Sequence, residues 1–216
     1  MVISVHVIEF LISYPSTGRS QTPMSFLTPT LKLLASEIAS VLILRNETLS
    51  IAETACGGLM GAAILTVPGT SKCFKGSMAA YSLESRIAFL GWTREVLNGY
   101  KGPDEQIVIG LASHLRKTLS STWCLSESGV CGPSRPDVYR ADIEGPGYCA
   151  FAVVGDGNRT VSKEVRIPQP KTREENMVAM AEEGLKLLLD TLKAQEGLES
   201  SVKVNSKCAN NNRTRM

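Results

Sequence analysis

The sequence predicts an α/β domain: a single three-layer-type unit with a mixed β-sheet covered by helices. Three observations predict it. Short β-prone runs alternate with stretches whose apolar residues recur at helical spacing. Glycine-bearing bends follow the strand-like runs. A late pair of alternating strands, Tyr148 to Val154 and Thr160 to Ile167, is joined by G-D-G-N (155–158), a hairpin signal. With 216 residues, 43% of them hydrophobic and 20% charged, the chain suits one domain with tails and buries a proper core.

The elements follow in order. Val2 to Ile12 is apolar but short, lacks a positive flank and is interrupted by His6 and Glu9, which disfavours a signal peptide. Residues 13–29 are rich in Ser, Thr, Pro and Gly and read as loop. Residues 1–27 are therefore taken as a poorly ordered N-terminal extension. Thr28-Pro29 places an N-cap and a first-turn proline before Leu31, Leu34, Ala35, Ile38, Val41 and Leu42, and Arg45-Asn46 ends that helix. Ser50 to Glu53 reads as a short strand, and Leu59 to Val67 as a helix. Gly76 to Tyr81 reads as a second strand, and Ser82 caps the next helix. Residues 92–103 are mixed in pattern. From Asp104, the residues Ile107, Val108, Leu111, Leu115 and Leu119 mark an amphipathic helix. Thr122 to Ser126 reads as a strand, S-G-V-C-G-P (128–133) as a turn-rich loop and 134–147 as an exposed loop. Thr172-x-x-Glu175 is a capping box that opens a long helix ended by Gly197. The domain thus spans 28–196, and 197–216 reads as a disordered tail.

Composition excludes several function classes. A net charge of +2, with no basic run interleaved with aromatics, argues against nucleic acid and against a membrane surface. No stretch is long enough for a membrane span. Cys56, Cys73, Cys124, Cys131, Cys149 and Cys208 form no C-x-x-C pair and read as buried free thiols in a reducing, cytoplasmic compartment. The sequons at Asn46, Asn158 and Asn212 read as chance. Two histidines and scattered cysteines carry no metal-ligand spacing, so neither a metal nor a cofactor is expected.

The chemistry is expected around Ser50 to Gly58, S-I-A-E-T-A-C-G-G. Strand, tight turn and helix in that order aim a hydroxyl, a thiol and unpaired helix amides at one spot, and a helix N-terminus favours an anion. An ordinary strand-to-helix turn fits the same residues. Three bends follow strands: Thr54 to Gly58, Ser82 onward, and Ser128 to Gly132. Ligands of open α/β sheets bind at the carboxyl ends of strands, which would gather the three bends into one pocket.

The three bends, with V-P-G-T-S (67–71) and F-K-G (74–76) between the first two, resemble the CinA C-terminal domain family over about residues 28–195. That resemblance implies a nicotinamide-nucleotide amidohydrolase, which converts nicotinamide mononucleotide to nicotinate mononucleotide and ammonia, and a homodimer or higher homo-oligomer. The family's A-E-S-C-T-G-G reads here Ala52-Glu53-Thr54-Ala55-Cys56-Gly57-Gly58, so the serine nucleophile falls on Thr54 and the threonine on Cys56. Its Y-S-N-E-A-K reads Tyr81-Ser82-Leu83-Glu84-Ser85-Arg86, so the lysine base falls on Arg86. Its S-G-I-A-G-P reads Ser128-Gly129-Val130-Cys131-Gly132-Pro133, without the glycines that follow.

These departures are chemical. A hydroxyl attacks only after a base takes its proton, and a desolvated Lys serves as that base where an Arg, protonated at neutral pH, does not. Three readings stay open. In the first, Thr54 attacks the carboxamide, with Tyr81, Glu53 or Glu84 as base. Arg86 then holds the phosphate or steadies the oxyanion, and the amides near Cys56 and Gly57 act as oxyanion donors. Catalytic residues are then Thr54, Tyr81 and Arg86, with Glu53, Cys56, Gly57, Gly58, Ser82, Glu84, Ser128, Gly129 and Gly132 around the substrate. A variant makes Cys56 the nucleophile. In the second reading the site binds a small-molecule mononucleotide without turnover, and in the third only the scaffold is kept. Glu127 is expected to order the pocket or cap a neighbour. His114, Trp92, Trp123 and the Met177/Met180 pair read as packing.

Overall fold

The computed structural model describes residues 25–157 and 159–211, with side-chain surroundings through residue 195. Helix α1 (Pro29–Arg45) starts as the sequence predicts. The Thr28 hydroxyl accepts the Leu31 N–H at 3.1 Å, and Pro29 sits where no helical amide partner is lost. Asn46 ends it at φ 54°, a left-handed conformation that a short amide side chain tolerates. Strand β1 (Leu49–Glu53), helix α2 (Leu59–Leu65), a single 3₁₀ turn (Thr70–Lys72) and strand β2 (Phe74–Ala79) follow. Then come α3 (Leu83–Phe89), α4 (Arg94–Gly99), α5 (Glu105–Thr118) and β3 (Trp123–Gly129). The hairpin β4 (Tyr148–Gly155) and β5 (Thr160–Arg166) precedes α6 (Arg173–Asn211).

The sheet order is β2-β1-β3-β4-β5, with β2, β1 and β3 parallel and β4 and β5 antiparallel. Both faces are covered, and the strands alternate between them with period two. Leu49, Ile51, Trp123, Leu125, Phe151 and Val153 join one core with α1, α2 and α6. Ala52, Cys124 and Val154 face the opposite side, against α5 and the segment around Leu90, Trp92 and Tyr100. Trp123, wholly buried, still satisfies its indole N–H on Glu47 Oε2 at 2.9 Å.

Several boundaries differ from the sequence reading. β3 runs to Gly129 rather than ending at Ser126, because β4 pairs Glu127 with Phe151, Ser128 with Ala150 and Gly129 with Cys149. Cross-strand pairing thus overrides turn-prone composition. The mixed stretch 92–103 holds α4, capped by the Thr93 hydroxyl on the Val96 N–H. β2 ends at Ala79, leaving Tyr81 beyond the strand. Leu27 is buried in the main core, so the folded unit begins before residue 28. Helix α6 passes through Gly197 instead of stopping there. A single glycine costs a helix only about 1 kcal/mol relative to Ala. The proposed extension over residues 1–24 and the last five residues lie outside the described residues.

Candidate functional site

The turn after β1 is held by two buried carboxylates. Glu53, the last residue of β1, accepts the N–H groups of Gly58 at 3.0 Å, Met60 at 3.1 Å and Gly61 at 2.8 Å. These are the first amides of α2, which otherwise lack partners. Burial raises the Glu53 pKa against the lowering pull of those three amides. Glu127, near the end of β3, turns Oε1 to the Thr54 and Cys56 N–H groups, at 2.7 Å each. Burial pushes its pKa up to about 7, although the Cys56 and Thr54 amides oppose the shift.

Those bonds correct one sequence expectation. The Cys56 amide and the α2 amides are committed to the chain's own carboxylates, and so do not serve as an anion site or an oxyanion hole. The thiol of Cys56 is buried, and burial, with the nearby Glu127, pushes its pKa well above the usual thiol range. A nucleophile needs the opposite shift. Its Sγ lies 3.7 Å from the Met177 carbonyl.

A cavity of about 540 Å³ opens beside this turn, at the carboxyl ends of the three parallel strands. The β1 end contributes Thr54, the β2 end Tyr81, Ser82 and Arg86, and the β3 end Gly129 to Gly132. The three bends therefore do converge. Tyr100, Lys101, Tyr139 and Arg173 also line it, as do Asn98 and Ser134. Glu53, Cys56, Gly57, Gly58, Glu84 and Ser128 do not line it. Glu84 is exposed in the first turn of α3, and Gly57 and Gly58 bend the turn behind the cavity at φ 65° and 101°.

The cavity is graded in depth. Thr54 and Arg86 lie deepest among its polar groups, 1% and 6% exposed. The Thr54 hydroxyl donates to the Ser128 hydroxyl at 3.2 Å. The Arg86 guanidinium lies 5.1 Å from the centre of the Trp92 ring and 5.4 Å from that of Tyr100, and Nη1 donates to the Tyr100 hydroxyl at 3.3 Å. Its Nε is buried without a hydrogen-bond partner. Tyr81 is exposed at the rim, where its hydroxyl accepts from Arg173 Nη2 at 3.1 Å. Arg173 Nη1 also donates to the Gly132 carbonyl at 2.6 Å and so ties the third bend to the start of α6.

Tyr100, Lys101, Tyr139 and Arg173 escaped the sequence reading. Three of them sit in loops or at loop edges with no periodic pattern. Arg173 carried a local signal, its place inside the capping box, but nothing in that box says it faces a cavity. His114 and Trp123 do not line the cavity. The His114 ring packs against Gly91 where a side chain at that position would stand. Among the described residues, no group of three or more His, Cys, Asp or Glu is placed to hold a metal ion.

A family model described as the CinA C-terminal domain matches residues 31–192. The chain belongs to that family. A CinA-like protein of Fervidobacterium nodosum is 36% identical over 97 residues, covering 45% of this chain and 24% of that protein. A CinA-like protein of Desulforapulum autotrophicum is 29% identical over 140 residues, covering 61% and 33%. The chain thus spans about a quarter to a third of the length of these relatives. Among solved CinA structures, the competence/damage inducible protein CihA from Agrobacterium tumefaciens superposes with a TM-score of 0.71 at 20% identity, covering 79% of this chain and 99% of that one. A competence or damage-inducible protein from Enterobacter asburiae gives 0.68 at 23% identity, covering 76% and 99%. At such identities the likeness is one of fold: the mixed five-stranded sheet with its helices is the CinA architecture. No helix among the described residues is long and apolar enough to cross a membrane.

Proposed function

We propose that the cavity binds a pyridine mononucleotide, and that this chain holds the ligand rather than hydrolysing its amide. One observation carries the reading: the hydroxyl that would attack, on Thr54, is bonded to another hydroxyl, on Ser128, and not to a base. Ser and Thr hydroxyls are weak nucleophiles without one. The candidate bases are otherwise placed. Glu53 is occupied by three amides and lies outside the lining. Glu84 is exposed on α3, and the Tyr81 hydroxyl accepts from Arg173. Arg86, where the resembled motif has a lysine, carries a guanidinium, a donor-only group that is no base. The depth of the cavity orders the ligand. Its planar base enters toward Thr54 and Arg86, and its phosphate stays with Lys101 and Arg173 at the mouth.

The second reading is hydrolysis of nicotinamide mononucleotide to nicotinate mononucleotide and ammonia through Thr54. It is favoured by Glu127, whose proton leaves at about pH 7 and whose carboxylate touches the Thr54 backbone. Calorimetric titration with nicotinamide mononucleotide and nicotinate mononucleotide, alongside an ammonia-release assay on the former, separates the two. Binding without ammonia is the expected result. Ammonia release that disappears in Thr54→Ala would establish the second reading instead.

A further inference from the structure

We propose that the cavity takes the acid form of such a nucleotide, whose ring carries a carboxylate, in preference to the amide form. This rests on the mononucleotide reading above and specifies its ligand. The lining holds three cations, Arg86, Lys101 and Arg173, and no aspartate or glutamate. Arg86 is the decisive one. It is more than nine-tenths buried, its Nε lacks a partner, and no carboxylate pairs with it among the described residues. Glu127, a buried carboxyl that feels the Arg86 charge, is not within pairing distance of it and spends Oε1 on two backbone amides. Buried charges are ordinarily paired, because desolvation without a counter-charge is costly. The rings of Trp92 and Tyr100 stand where water would otherwise screen the cation.

A ligand carboxylate supplies what Arg86 lacks. Guanidinium presents donors in a plane that matches two carboxylate oxygens. A carboxamide offers one acceptor oxygen and turns an NH₂ donor toward a donor-only group, leaving the cation uncompensated. The phosphate is common to both nucleotides and is met by the exposed Lys101 and Arg173. It adds affinity without choosing between them. Discrimination therefore falls to the deep end of the cavity.

The test is calorimetric titration of the full chain with nicotinate mononucleotide and with nicotinamide mononucleotide, near neutral pH and at fixed salt. The acid should bind about tenfold tighter or more, as a charge-assisted bidentate pair in a dry site would give. In Arg86→Met the preference should shrink to near parity, while Lys101→Ala should weaken both ligands alike. Equal affinities in the native chain, or a tighter amide, overturn the inference and leave mononucleotide binding intact. A preference that survives Arg86→Met overturns its assignment to that residue. Absence of binding by either nucleotide removes the mononucleotide reading and the inference together. The comparison in the native chain needs no substitution, so a poorly folded variant does not spare the proposal.

Discussion

Glu127 holds Thr54 in place from the neighbouring strand: its Oε1 accepts the Thr54 N–H at 2.7 Å and, at the same distance, the Cys56 N–H. The acid is wholly buried, and its pKa in the fold, about 7, stands above the ordinary 4.5. The folded chain thus binds this proton more tightly than the unfolded one. Its contribution to stability is complete below pH 4.5 and is lost as pH rises through about 7. The full loss is of the order of 3 kcal/mol. Glu127→Gln keeps an acceptor oxygen and removes the charge. Urea unfolding across that window should show the native chain losing stability relative to the variant as pH rises. Parallel curves would refute the assignment.

Glu53→Ala removes the acceptor of three amides at the start of α2. A buried amide left without a partner costs roughly 1–3 kcal/mol, and three of them outweigh relief of one carboxylate whose desolvation the same three bonds partly offset. The expected loss is about 3 kcal/mol or more, read from the urea midpoint. Glu53→Gln, which keeps one acceptor oxygen, should lose less. An alanine variant as stable as the parent would show that the cap contributes nothing.

Helix α2 lies on β2 at one glycine. A Cβ on Gly61 would come within 2.7 Å of the Ser77 Cβ and 3.3 Å of Glu53 Oε1. Alanine gains about 1 kcal/mol of helix propensity over glycine, but overpacking against a strand costs about 1–3 kcal/mol. The clash wins, since β2 is pinned by its parallel pairing to β1. Gly61→Ala should lower the melting temperature, and adding Ser77→Gly should restore much of it. A variant with unchanged melting would mean that the helix shifts freely.

Thr54→Ser and Arg86→Lys together give the site a less crowded hydroxyl and an amine that can act as a base, the residue types of the motifs this chain resembles. The lysine would stand in the same buried, aromatic surroundings, where desolvation lowers an amine's pKa toward neutrality. Ammonia release from nicotinamide mononucleotide should appear in the double variant and stay far lower in Thr54→Ser alone. Failure of the double variant to release ammonia would refute the pairing of these two positions as hydroxyl and base.

By itself the sequence determined most of the secondary elements, α4 and the run of α6 past Gly197 excepted, and several caps: Thr28, Ser82 and the Thr172–Glu175 box all cap helices as local chemistry dictates. It also determined the layered α/β class, through periodicity, and the family, through three short motifs that keep their order. Each of these rests on interactions within a few residues, which a linear pattern records. The tertiary structure alone decided the strand order β2-β1-β3-β4-β5, the extension of β3 through Gly129, and the partners of Glu53 and Glu127. It alone brought Tyr100, Tyr139 and Arg173 to the cavity and buried Arg86 there with its Nε lacking a hydrogen-bond partner among the described residues. The reason is physical: a buried charged group takes its character from desolvation, which only the folded core sets, and Glu127 also from amides on another strand's turn, neither of which is written in its neighbours along the chain.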